Sequence, residues 1–138
     1  NRLADLLAPH GMFTGYHNHH TEFQMIAGRR PIEVFLENTG SRVCFQPDNG
    51  NAMHGGGDVV PYIERFAGRS RTVHLKEFAK ANPKALIGEG DTDWPRVFKA
   101  CETVGGTEWY IVEQESYPAA PLESVEICLK NLRRLGRG

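Results

Sequence analysis

Two hydrophobic rhythms alternate along this chain. One is a short, near-continuous apolar run of strand length that finishes on a His, Asp or Glu. Four runs have this form: Phe13-Thr14-Gly15-Tyr16-His17-Asn18-His19, Val43-Cys44-Phe45-Gln46-Pro47-Asp48, Thr72-Val73-His74-Leu75-Lys76-Glu77 and Trp109-Tyr110-Ile111-Val112-Glu113-Gln114-Glu115. The other rhythm has the 3.6-residue period of an amphipathic helix. It appears in residues 2–10, closed by Gly11, and in residues 31–38, opened by Pro31 and ended near Gly40. It returns in residues 59–67, with Asp58 as the expected cap, and after Asp93, with Trp94 and Pro95 in the first turn. The final amphipathic stretch is 122–136, following Pro118 and Pro121. The stretch that follows the His17 run, through Gly28-Arg29-Arg30, reads as irregular loop. Residues 49–57, rich in glycine, and the Gly88-Glu89-Gly90-Asp91 stretch also read as loops.

Strands and helices that alternate with short connections predict an α/β fold of parallel strands with right-handed helical crossovers. Four strand-helix units are half of a (β/α)8 barrel, which takes roughly 250 residues. The chain starts inside a helical pattern without Met. The expectation is one domain over 1–138, half of a barrel from a longer protein, with a small open α/β sheet as the alternative. Half a barrel leaves two strand edges and an apolar interior uncovered. Self-association, with two halves completing a barrel-like dimer, is therefore expected.

Composition narrows the partners. The 138 residues carry a net charge of −1, with 40% hydrophobic and 24% charged residues. That balance gives no electrostatic reason to expect nucleic acid or an anionic membrane. No apolar run approaches a membrane span. Three cysteines, Cys44, Cys101 and Cys128, lie in apolar-periodic segments without zinc-knuckle spacing, and read as reduced, buried thiols of a cytoplasmic protein.

The chemistry sits at the strand ends. Ligands and catalytic groups collect at the C-terminal ends of parallel strands. Asp48, His74 and Glu113 offer oxygen and imidazole donors to one shared divalent ion, a mixture that suits manganese, cobalt or zinc better than calcium. Residues two apart on a strand share a face, so His17 and His19, His74 and Lys76, and Glu113 and Glu115 are paired. Lys76 is a candidate electrophile, and Gln46 and Asn51 are candidates for substrate hydroxyls. Glu113 closes an apolar strand, where an unpaired carboxylate is costly. His20 and His54 read as loop residues, and His10 as a helix-end residue. The Gly55-Gly56-Gly57 run lacks the Lys and Ser/Thr of a phosphate-binding loop.

GYHNHHTEF, QPDNGNAMHGGGD, HLKEF, IGEGDTDW and EWYIVEQE resemble, in order and spacing, the strand-end motifs of the sugar phosphate isomerase/epimerase family. These are xylose-isomerase-like TIM barrels, which include inosose isomerases and dehydratases, ketose 3-epimerases and endonuclease IV. The resemblance covers essentially the whole chain and makes the four runs the fifth to eighth barrel strands. It implies one divalent cation (manganese, cobalt, zinc or magnesium) held by Asp48, His74 and Glu113. The fifth-strand ligand, a Glu in many members, stands here as His17. The departure matters, because the epimerases use fifth- and eighth-strand Glu residues both as ligands and as proton carriers on opposite substrate faces. Glu22 could supply the missing carboxylate as fourth ligand or base, and His19 could act in its place.

The implied activity is metal-dependent isomerisation or epimerisation of a sugar or keto-sugar, phosphorylated or not, by proton transfer next to a carbonyl. Glu113 would carry the proton, Lys76 would stabilise the enediolate, and His19 or Glu22 would serve the opposite face. The other readings are a lyase or dehydratase of keto-sugars or inososes, an endonuclease IV-like phosphodiesterase, and a barrel fragment without turnover. The net charge of −1 weighs against the phosphodiesterase.

Overall fold

The computed structural model describes all 138 residues. Its strands are β1 (Thr14–His17), β2 (Val43–Gln46), β3 (Thr72–Leu75) and β4 (Trp109–Val112). Its α-helices are α1 (Arg2–Leu7), α2 (Pro31–Glu37), α3 (Asn49–His54), α4 (Val60–Arg65), α5 (Trp94–Ala100) and α6 (Pro121–Arg134). All strand pairing is parallel. β1 pairs with β2 in the register Thr14↔Val43 to His17↔Gln46, and β3 pairs with β4 from Thr72↔Trp109 to Leu75↔Val112.

The two pairs meet at a looser seam. There Phe45 N–H donates to the Arg69 carbonyl at 2.8 Å, and His74 N–H donates to the Pro47 carbonyl at 2.9 Å. A single parallel bridge, Asp48↔His74, completes it. The four runs thus lie side by side in chain order, in the α/β architecture expected, matching half of a barrel wall. Arg69, buried, fastens the N-terminal ends of the strands through the carbonyls of Val43, Leu36 and Thr39.

The pleat divides each strand between two environments. Phe45, Val73 and Leu75 are fully buried in a core shared with Ile32, Leu36, Ile63, Trp94 and Phe98 from the helices. Tyr110 and Val112 pack against the same core. The alternate positions, including His17, Gln46, Thr72, His74, Trp109 and Ile111, lie on the opposite, concave face. Trp109 is 67% exposed and Ile111 39%. The three cysteines are buried and form no disulfide.

Two local expectations change. The glycine-rich stretch after β2 is a helix, α3, because the Asp48 carboxylate accepts the Asn51 N–H and caps it. Gly50 is required inside it: a Cβ there would sit 2.7 Å from the Lys76 carbonyl oxygen. The helix expected over 59–67 is shorter, Val60–Arg65, with Val59 at the N-cap position. Asp58 still accepts the Val60 N–H at 2.9 Å. At the other predicted cap, Asp93 accepts the Arg96 N–H at 3.1 Å, as the sequence implied.

Candidate metal centre

Each strand delivers one polar side chain to the same end of the concave face. β1 ends on His17, β2 is followed by Asp48, β3 carries His74, and β4 is followed by Glu113. The strands differ in where they stop, so these four residues reach a common level. One donor atom from each lies within 4.8 Å of the others, a group that could hold a metal ion. His17 Nε2 is 3.9 Å from Asp48 Oδ2 and 3.8 Å from Glu113 Oε2. His74 Nδ1 contacts Glu113 Oε2 directly, and the His17 and His74 rings are 4.2 Å apart.

Asp48 carries the strongest sign that a cation belongs here. It is fully buried, and Oδ1 accepts the Asn51 N–H at 2.7 Å. Oδ2 has no hydrogen-bond partner at all. An orphaned buried carboxylate oxygen is costly unless a cation or proton meets it. Burial accordingly pushes the Asp48 carboxyl up to about 7. The same burial, with the neighbouring His74, lowers His17 and favours the neutral imidazole that ligates metals. Two imidazoles and two carboxylates make a donor set suited to a divalent transition ion. The residues present therefore fit the ion.

Glu113 is held differently. Burial opposes its ionisation, but hydrogen bonds from Lys76 and His74 outweigh it and keep the carboxyl below its usual range. Lys76 Nζ donates to Glu113 Oε1 at 2.8 Å and also contacts Glu115. Burial works against the Lys76 charge, yet these two carboxylates raise its pKa, so it stands as an ammonium. Glu113 is thus an ionised carboxylate with one oxygen on the cluster and one on Lys76.

The other anticipated residues divide. His19 is exposed, with its ring 5.1 Å from that of His17, at the rim of the cluster. Glu22 stands outside it: its carboxylate accepts from Tyr16 Oη at 2.8 Å and from the His19 N–H at 2.7 Å. It folds the turn after β1, and the fourth member of the group is His17. Gln46 lies on the concave face but donates to Thr72 Oγ1 at 2.7 Å. The Asn51 side-chain amide donates to the Asn18 carbonyl at 3.3 Å. Both are engaged in building the site.

Sequence reasoning gave no role to Asn18, Asn49 or Glu77. Asn18 is fully buried and grips Asp48 at both backbone atoms, accepting its N–H at 2.9 Å and donating to its carbonyl at 3.1 Å. This extends the β1–β2 ladder by one side-chain rung. Asn49 donates to the Lys76 carbonyl at 2.9 Å. The Glu77 carboxylate accepts the N–H groups of Phe78 at 2.9 Å and Gly88 at 2.7 Å, and the Trp94 indole N–H at 2.7 Å. It thereby folds the β3–α5 loop over the site. An amide or carboxylate flanked by site residues at a strand end was the available signal.

No protein-family model matches the sequence. Curated relatives do. The inosose dehydratase of Geobacillus thermodenitrificans is 30% identical over 138 residues, covering 86% of this chain and 46% of that protein. The inosose dehydratase of Erwinia tasmaniensis is 29% identical over 141 residues, with the same two coverages, 86% and 46%. A sugar phosphate isomerase/epimerase structure from Parabacteroides distasonis superposes with a TM-score of 0.79 at 30% identity, covering 96% of this chain and 48% of that one. A second from the same organism gives 0.79 at 26%, covering 97% and 50%. An AP endonuclease of family 2 from Brucella melitensis shares the fold, with a TM-score of 0.60 at 20% identity. The chain spans about half the length of the relatives it matches. In motifs, fold and relatives it is similar to the xylose-isomerase-like sugar phosphate isomerases/epimerases and inosose dehydratases, over about half the length of those proteins.

Proposed function

We propose that the protein containing this chain is a divalent-metal-dependent enzyme that removes a proton beside the carbonyl of a keto-sugar or inosose-like polyol. Of the outcomes open to that first step, loss of water is the one these side chains favour over isomerisation or epimerisation. His17, Asp48, His74 and Glu113 would hold the ion. A divalent ion there polarises the substrate carbonyl and acidifies the neighbouring C–H. The carrying observation is the convergence of those four side chains around an unpartnered Asp48 oxygen.

Glu113, held ionised by Lys76 and His74, is the group suited to take the proton. The C–H electron pair then forms the enediolate, and the Lys76 ammonium stabilises its negative charge. When the carbonyl re-forms, the electrons expel the β-hydroxyl, and His19, at the rim, is the side chain placed to deliver the proton that makes it water. Epimerisation needs a second base on the opposite face; Glu22 is engaged with Tyr16 and the turn backbone instead, and His19, the other candidate, is assigned in this reading to the leaving hydroxyl. The names of the curated relatives agree with a dehydratase.

The chain supplies the fifth to eighth strand-helix units in this reading, and another four-strand half covers the concave face. The exposed Phe13, Trp109 and Ile111 on that face support such a cover. It is either the rest of one polypeptide or a second copy of this chain. The test uses the full-length protein with an inosose, following loss of the α-proton and release of product. Glu113→Gln is expected to abolish both, and Glu115→Gln to retain most of the rate. Turnover untouched by exhaustive chelation, or full activity in Glu113→Gln, would refute the proposal.

A further inference from the structure

The glycine run Gly55-Gly56-Gly57 lacks the Lys and Ser/Thr of a phosphate-binding loop and contributes nothing to the four-residue cluster. Its surroundings give it a different role. A Cβ on Gly55 would stand 2.2 Å from the His20 carbonyl oxygen and 2.8 Å from Phe23 Cβ. A Cβ on Gly57 would stand 2.3 Å from Phe23 Cδ1. No side chain fits at either position without moving the turn after β1. The run is bare so that residues 18–23 can lie directly on the end of α3.

Other contacts close the same seam. Phe23 is fully buried, and its ring meets that of Tyr62 from α4 edge-on at 5.5 Å. Arg30 Nε donates to the Phe23 carbonyl at 2.8 Å, and Arg30 Nη2 donates to the Gly56 carbonyl at 3.1 Å. The His20 ring stacks on that of His54, the last residue of α3, at 5.0 Å between centroids. On the other side of the turn, the Asn51 amide holds the Asn18 carbonyl. Backbone contacts thus flank the residue that the turn presents to the cluster, His19. Its own N–H is held by Glu22, and its exposed ring lies 5.1 Å from that of His17. The place of that ring is set by the turn beneath it.

The geometry points to Gly55, Gly57 and His54 as positioning residues that hold His19 at the rim of the cluster, where it meets the leaving hydroxyl. This rests on the reading of His19 as the proton donor in water loss. Glu113 removes its proton without His19, so displacement of the turn should slow the second step and spare the first.

The test follows the full-length protein with manganese and an inosose in heavy water, measuring water loss and the deuterium taken up by recovered substrate. In Gly55→Ala, water loss should fall on the order of a hundredfold, the usual effect of a misplaced catalytic group. Deuterium should then accumulate in the substrate, because the enediolate takes a proton back instead of expelling its hydroxyl. His54→Ala, at an exposed position, should slow water loss by about two- to tenfold, and His54→Phe, which keeps the stack, should restore it. Manganese affinity should stay within about twofold in all three variants. An unchanged ratio of deuterium uptake to water loss in Gly55→Ala and His54→Ala would overturn the proposal. So would a joint fall of uptake, water loss and manganese binding in His54→Ala, which marks a purely structural role. A wild type inert toward the inosose refutes the dehydratase reading alone. The clamp is then judged in the metal-free protein by the nuclear Overhauser contact between the His17 and His19 rings. Gly55→Ala should abolish that contact, and its persistence there would overturn the proposal.

Discussion

The two faces of the four-strand layer are built from alternate residues of the same short segments, yet they obey different physics. On the outer face Phe45, Val73 and Leu75 are fully buried against helices, and nothing there needs a polar partner. On the concave face His17, Asp48, His74, Lys76 and Glu113 lie within a few ångströms of one another, leaving Asp48 Oδ2 and His17 Nδ1 without a hydrogen-bond partner. The outer face stabilises through removal of apolar surface from water. The inner face stores an electrostatic deficit that a cation would relieve. The two should therefore be separable by mutation.

The sharpest break comes from Phe45→Ala, which empties a fully buried position. It should cost about 3–5 kcal/mol by chemical denaturation, enough to unfold much of the population. If Phe45→Ala left stability unchanged, the outer face would not be the load it is taken to be. On the inner face, Asp48→Asn should weaken manganese binding by at least about a hundredfold in a calorimetric titration. The fold should survive, because the Asn51 N–H still meets an oxygen. Retained affinity would separate Asp48 from the ion.

The same substitution should raise the stability of the metal-free protein above neutral pH. The folded Asp48 carboxyl titrates near 7, above the ordinary carboxylate, so the folded state holds its proton more tightly than the unfolded one. Its stabilising contribution is complete at low pH and is lost as pH rises toward and through 7. Asp48→Asn removes that loss, by up to about 4 kcal/mol at pH 8. Denaturation curves of metal-free wild type and variant should diverge with rising pH, and parallel curves would contradict the burial argument. Bound metal should invert the wild-type trend, since the proton competes with the ion.

Smaller effects test how the faces are joined. Asn18→Ala removes two hydrogen bonds to the Asp48 backbone and should cost about 2 kcal/mol, with on the order of tenfold weaker metal binding. Glu22→Gln should change metal affinity by less than about twofold, because its carboxylate serves the turn. A large loss in Glu22→Gln would restore it as a ligand.

Much of this was open to a reader of the chain. The short apolar runs of strand length and the helical stretches between them specify parallel strand-helix units, because runs of that length alternating with a 3.6-residue period bury their apolar sides in that arrangement. The strand-terminal positions of Asp48, His74 and Glu113 follow from the same pattern, since the ends of parallel strands share one rim. The helix over 49–54 was not legible, because glycines hid it and its cap is a site residue, Asp48.

Other features belong to the tertiary structure alone. Whether His17 or Glu22 completed the cluster depended on the turn after β1, where a Tyr16 hydroxyl and a backbone N–H captured the Glu22 carboxylate. The roles of Asn18 and Glu77 arise from groups 30 and 11 residues away, which no local pattern contains. Apolar periodicity is a property of a segment and can be read from it. The partner of a polar atom is a property of distance in space, and only the packed chain decides it.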